Sequence, residues 1–139
     1  MFANSLTVDV DLLAADTKTP RFTFKGHSAV AKCVSVHDGD TAQFVFRIGG
    51  DLKRMTCRML GYNCAEVNSK DPVEKARAAE VTVILRSLIV DKIVKLIFDE
   101  FDKYGRPLVN VYLDETHINK YMTDNKYGIA YDGHGEKPW

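Results

Sequence analysis

"AVAKCVSVHDGDTAQFVFRIGGDLKRMTCRML", residues 29–60, contains three apolar, β-rich runs divided by two short polar breaks. Residues 29–36 and 41–48 are joined by "HDGD", in which Asp38-Gly39 supplies the turn of a hairpin. "GGD" at residues 49–51 then turns the chain into "LKRMTCRML". There Leu52, Arg54, Thr56 and Arg58 share one face and Lys53, Met55, Cys57 and Met59 the other. The result is a three-stranded meander. One small polar residue and a glycine are enough to reverse a chain, so the second carboxylate, Asp40, followed by Thr41, exceeds what the turn requires.

Downstream, "DPVEKARAAEVTVILRSLIV" has the marks of a helix: Asp71 as N-cap, Pro72 at the first helical position and Glu74 as capping-box partner. Its apolar stripe runs through Ala78, Val81, Leu85 and Leu88. Residues 91–98 and 107–113 are two more strands, separated by the polar "DEFDKYGR", and "ETHINKYMTDNKYG" is a short helix ending at Gly128. Five strands with a helix between the third and fourth make a small, mainly β, α+β domain. The arrangement is that of a Greek-key barrel of the OB type with a C-terminal helix. Upstream, residues 6–12 and "RFTFKG" alternate with a period of two and predict extra edge strands or an extended arm. The expected organisation is an extension over 1–28, the barrel domain over 29–131 and a frayed tail over 132–139.

With 139 residues, 45% hydrophobic and 27% charged, the chain suits one globular domain with its own core. The net charge of zero neither supports nor excludes a polyanionic partner. Cys33, Cys57 and Cys64 are odd in number and lack CxxC spacing, which fits free thiols in an intracellular compartment. The N-terminus has no basic region followed by a long apolar one, and no apolar run is long enough to span a bilayer, so neither secretion nor membrane insertion is expected.

Three polar clusters fall at the predicted strand ends: Asp38, Asp40 and Thr41; Arg58, Asn63 and Glu66; Lys103, Tyr104 and Arg106. Brought together, they would offer carboxylates for a hard cation, two guanidiniums for a phosphate and one further glutamate, the parts that phosphodiester hydrolysis needs. Taken singly, each has an ordinary structural role as turn, solvated surface or loop aromatic. The histidines lack metal-ligand spacing.

"DGDT", "CRMLGYNCAE" and "DKYGRPLVNVY", in that order, resemble the signatures of the staphylococcal nuclease (thermonuclease) family over residues 29–131. The resemblance implies an OB barrel and a calcium-dependent nuclease, Mg2+ or Mn2+ being alternatives, that cleaves DNA and RNA with little sequence preference and leaves 3′-phosphates. It implies Asp40 as a metal ligand, Asp38 acting through metal-bound water, Asn63 and the Cys64 backbone carbonyl at the metal, and Glu66 on the attacking water. Arg58 and Arg106 would hold the scissile phosphate, and Lys103, Tyr104 and Tyr131 the nucleotide. The family has Asp-Thr-Pro-Glu where this chain has Asn63-Cys64-Ala65-Glu66, so one carboxylate is replaced by an amide, which weakens calcium binding. A monomer with no membrane partner is expected. The other class open to it is a non-catalytic OB module that binds nucleic acid or a protein.

Overall fold

The computed structural model describes residues 7–132. The meander is present as β1 (Ser28–Asp38), β2 (Thr41–Ile48) and β3 (Asp51–Met59). The two-residue β4 (Tyr62–Asn63) follows, then helix α2 (Pro72–Ile89), β5 (Ile93–Phe101) and β6 (Pro107–Leu113). The chain continues through β7 (Thr116–His117), α3 (Ile118–Asp124) and β8 (Ile129–Ala130). Among the described residues the main sheet runs β3-β2-β1-β5-β6-β7, and β3 also pairs with β6. That last pairing is parallel, Arg58 opposite Leu108 and Met59 opposite Val109, and it closes a five-stranded barrel. The fold is the expected OB-type α+β barrel.

Alternation in the strands determines what fills it. Ala31 and Cys33 from β1, Ala42, Phe44 and Phe46 from β2, and Cys57 and Met59 from β3 point inward and are buried. Val94, Leu96 and Phe98 of β5 and Val109 and Val111 of β6 complete the barrel interior. A register shift between Cys33 and Ser35 moves β1 out of phase, so that Val36 turns inward as well. Helix α2 caps one end with Ala78, Val81, Leu85 and Ile89. The sequence stripe named Leu88 as its last member; the structure buries Ile89, one full four-residue step beyond Leu85, and leaves Leu88 on the flank.

Two local expectations are corrected, and the alternative of an extended arm is met in part of the extension. The edge strands expected in the extension do not form: Val10–Ala14 is a short helix, α1, because the Asp9 carboxylate accepts from the Asp11 and Leu12 amides as an N-cap. Residues 21–25 are an arm without strand pairing, laid down through Phe24 on Phe98 and Phe101. Glu74 is not a capping-box partner of Asp71. Its carboxylate accepts instead from the Glu66 amide at 3.3 Å and from the Ser69 hydroxyl, while Ser69 caps the Asp71 amide. The expected tail lies outside the described residues from 133 onward. Among the described residues no helix is long and apolar enough to cross a membrane.

Candidate functional site

The β1–β2 connection is tighter than its sequence suggests. Asp38 pairs with Thr41, so Gly39 and Asp40, not Asp38 and Gly39, form the turn. Gly39 is required by space rather than by dihedral freedom: a Cβ there would lie 2.5 Å from Val81 Cγ1 and 2.8 Å from Cys64 Sγ. The Tyr62 hydroxyl donates to the Gly39 carbonyl at 2.8 Å and pins the turn from the other side. Helix α2, the segment after β4 and the turn therefore lock together, and Asp40 is left only 7% exposed.

Every polar neighbour of Asp40 is within reach. Oδ1 accepts from the Thr41 hydroxyl at 3.0 Å, Oδ2 accepts from the Cys64 amide at 3.3 Å, and Arg58 Nη2 stands 3.5 Å from Oδ2. Asp38 accepts from the Asp40 amide at 3.1 Å. Burial, then the charge of Asp38, push the Asp40 carboxyl from its ordinary 3.8 up to about 7, against the pull of Arg58 and Thr41. Two carboxylates sharing a poorly hydrated turn in this way suit a hard, oxygen-seeking cation, whose charge would relieve both. Among the described residues no three His, Cys, Asp or Glu side chains converge as a ready metal cluster. A cation here would be held by Asp40 and Asp38, with water completing its shell.

Arg58 is 12% exposed and held from three directions, by Asp40, by Asn63 Oδ1 at 2.9 Å and by the Tyr62 carbonyl at 3.5 Å. Asn63, 2% exposed, thus gives its oxygen to Arg58, and its Nδ2 is buried with no partner among the described residues. At Cys64 the group that meets Asp40 is the amide N–H, whereas the side chain is buried with its thiol on the Tyr127 carbonyl. Burial raises the pKa of that thiol well above the usual range, and Cys64 is a core residue rather than a pocket thiol.

Arg106 sits at the start of β6 and is fixed by a loop clamp. Asp102 Oδ2 accepts from Arg106 Nε at 2.7 Å, and Asp102 Oδ1 accepts from the Arg106 and Tyr104 amides, both at 2.9 Å. Gly105 takes a φ of +81° to let the loop close. Arg106 Nη1 reaches Thr41 Oγ1 at 3.5 Å, and both Arg106 and Lys103 lie over the Tyr104 ring, at 5.5 and 5.2 Å.

Closure of β3 against β6 brings the two arginines to one cavity of about 470 Å³, whose walls include Arg58, Lys103, Tyr104, Arg106 and Tyr131. Tyr131 is placed there by its amide, which donates to Gly61 O at 2.9 Å just beyond the β4–β8 pairing. Asp40 does not line this cavity and borders it through Arg58. Glu66 is exposed on the segment between β4 and α2 and does not line this cavity. Sequence reasoning missed Asp102 and Tyr62 as positioning groups. An Asp three residues before a Gly-Arg pair signals the first, as a turn-forming carboxylate; nothing local signals the second.

No family model matches the chain. Over 102 residues it is 33% identical to an uncharacterised protein of Bacillus anthracis, an overlap of 70% of this chain and 45% of that protein. The chain therefore spans under half the length of this relative.

Proposed function

We propose that the chain is a metal-dependent phosphodiesterase of the staphylococcal nuclease type that hydrolyses DNA and RNA with little sequence preference. The supporting observation is the convergence of Arg58 and Arg106, distant in sequence, on one cavity that also carries Lys103 and two tyrosines. Each guanidinium can meet non-bridging phosphate oxygens through its planar fork, and each is already held by a carboxylate, so little reorganisation accompanies the growth of negative charge in the transition state. Tyr104 and Tyr131 offer rings to the nucleoside, and Lys103 a charge to a neighbouring phosphate. Bound at Asp40 and Asp38, calcium, or magnesium or manganese in its place, would neutralise a phosphate oxygen as a Lewis acid. Glu66 orients and deprotonates the attacking water; the new P–O bond forms in line as the bond to the 5′-oxygen breaks, which leaves a 3′-phosphate. Three reduced thiols, all buried, suit an intracellular setting.

The second class, a binding module without turnover, is favoured by two observations: Glu66 does not line the cavity, and the Asn63 oxygen is engaged by Arg58. Incubating the purified protein with single-stranded DNA, duplex DNA and RNA, each with calcium, magnesium, manganese or chelator, separates the two. Cation-stimulated cleavage to 3′-phosphate ends is expected. Absence of cleavage under every cation selects the binding module, and 3′-hydroxyl ends overturn the mechanism.

A further inference from the structure

The N-terminal arm carries an aromatic that its own packing does not use. Phe24 anchors the arm between Phe98 and Phe101, with ring centroids 5.1 and 5.7 Å away. Phe22, next in the row, stands edge-on to Phe24 at 4.9 Å and 82°, and lies 6.2 Å from Phe101. It is held in place by two rings, yet it is 69% exposed. Between the arm and the β5–β6 loop opens a second cavity of about 730 Å³, walled by Arg21, Phe22 and Thr23 on one side and by Phe101, Lys103 and Gly105 on the other. This cavity and the one holding Arg58 and Arg106 share Glu100, Phe101, Asp102 and Lys103 along their borders, so the two are contiguous.

Its wall carries two cations, Arg21 and Lys103, and two acids, Glu100 and Asp102. Neither acid draws on those cations: Asp102 pairs with Arg106 at 2.7 Å, and Glu100 shares Lys25, at 3.7 Å, with Asp99. Arg21 has no ion pair among the described residues, and Lys103 is engaged only with the ring of Tyr104. An exposed, immobilised ring between two available cations matches what single-stranded nucleic acid needs, a face for a base and positive charge for the backbone. The volume lies in the range of roughly 300–1,000 Å³ typical of small-ligand sites.

We propose that the arm forms a subsite for one further nucleotide of a single-stranded nucleic acid, its base stacked on Phe22 and its phosphate between Arg21 and Lys103. The subsite rests on the nucleic-acid reading of the adjoining cavity and extends it, making the chain prefer unpaired strands over duplex, in which the bases are not free to stack on a side chain.

The test is direct binding, in chelator so that no strand is cut, of fluorescein-labelled oligothymidylates from a dinucleotide to a hexanucleotide, read by anisotropy. The parent protein should gain affinity with length. Phe22→Ala should lose about tenfold of that gain while binding the dinucleotide as the parent does, and Phe22→Tyr should keep it. Arg21→Ala, which leaves the aromatic row untouched, should lower the slope of log affinity against log salt by about 0.7. If Phe22→Ala and Arg21→Ala bind every length like the parent, or the parent gains nothing with length, the subsite is overturned whatever the cleavage assay shows. Length-dependent binding that requires Phe22 in a protein that cleaves nothing upholds the subsite and overturns only the nuclease activity.

Discussion

Asp40 is a carboxylate placed where burial and a like charge both oppose its ionisation, and this has a measurable sign. Its folded pKa, about 7, lies above its ordinary 3.8, so between those values the folded chain holds a proton that the unfolded chain has released. Stability of the cation-free protein should therefore fall as pH rises through that window and level off above it. His117, whose pKa is lowered by burial and then by Lys120, works in the opposite direction. Comparing the parent with Asp40→Asn cancels the histidine: in urea unfolding across the window, the variant should show a flatter profile and greater stability at neutral pH. A parallel fall in both proteins would assign the slope to another group. Gly39 gives a second prediction of the same kind. Gly39→Ala brings a Cβ to 2.5 Å from Val81 in the wall between α2 and the turn, and should cost about 1–3 kcal/mol by overpacking, checked by the urea midpoint.

The β5–β6 loop is an element whose shape is determined by one side chain. Asp102 bonds the amides of Tyr104 and Arg106 and the guanidinium of Arg106, so it orders both the loop backbone and the Arg106 side chain. Asp102→Ala should leave the barrel folded, because the loop lies outside the core; under the proposed nuclease activity it should lower kcat and raise KM together as Arg106 loses its orientation. Arg106→Ala should cut kcat by about 10²–10³-fold if its guanidinium acts on the transition state. An Asp102→Ala enzyme with parental kcat and KM would show that the loop holds Arg106 without its clamp. Helix α2 plays the matching part on the other side of the turn. Leu85, fully buried beneath it, should cost about 2–5 kcal/mol when cut to Ala, read from thermal or urea unfolding.

Barrel closure is the event that makes the site, since Arg58 and Arg106 meet only because β3 lies parallel to β6. The same geometry makes cation binding testable through the stability of the whole fold. If Asp38 and Asp40 take the ion, calcium should raise the melting temperature, and more so as pH climbs toward about 7 and Asp40 gives up its proton. Asn63→Asp would add a carboxylate beside Arg58 and remove the unpartnered Nδ2; it should tighten calcium binding and enlarge the calcium-dependent rise in melting temperature. Calorimetric titration of both proteins checks this. Unchanged or weaker binding by the variant would mean that Arg58, rather than a cation, absorbs the new charge.

Much of this molecule could be read locally. The strands of the meander follow from period-two alternation, and helix α2 from its Asp71-Pro72 start and apolar stripe, because each such signal is written within a few residues. The barrel followed from the order of those elements. What local signals could not carry was anything created by approach between distant segments. Asp9 converted an alternating run into a helix by capping its first turn, and Glu74 turned from its own helix cap to the loop ahead of it. Gly39 looked like a turn glycine and proved to be a contact glycine, since Val81 and Cys64 reach it only in the folded chain. The types of the site residues were legible, but their partners were not. Whether Arg58 faces Asp40, whether Asn63 spends its oxygen on an arginine, and whether Phe22 borders the cavity depend on how the barrel closes, and burial and charge proximity exist only once it has.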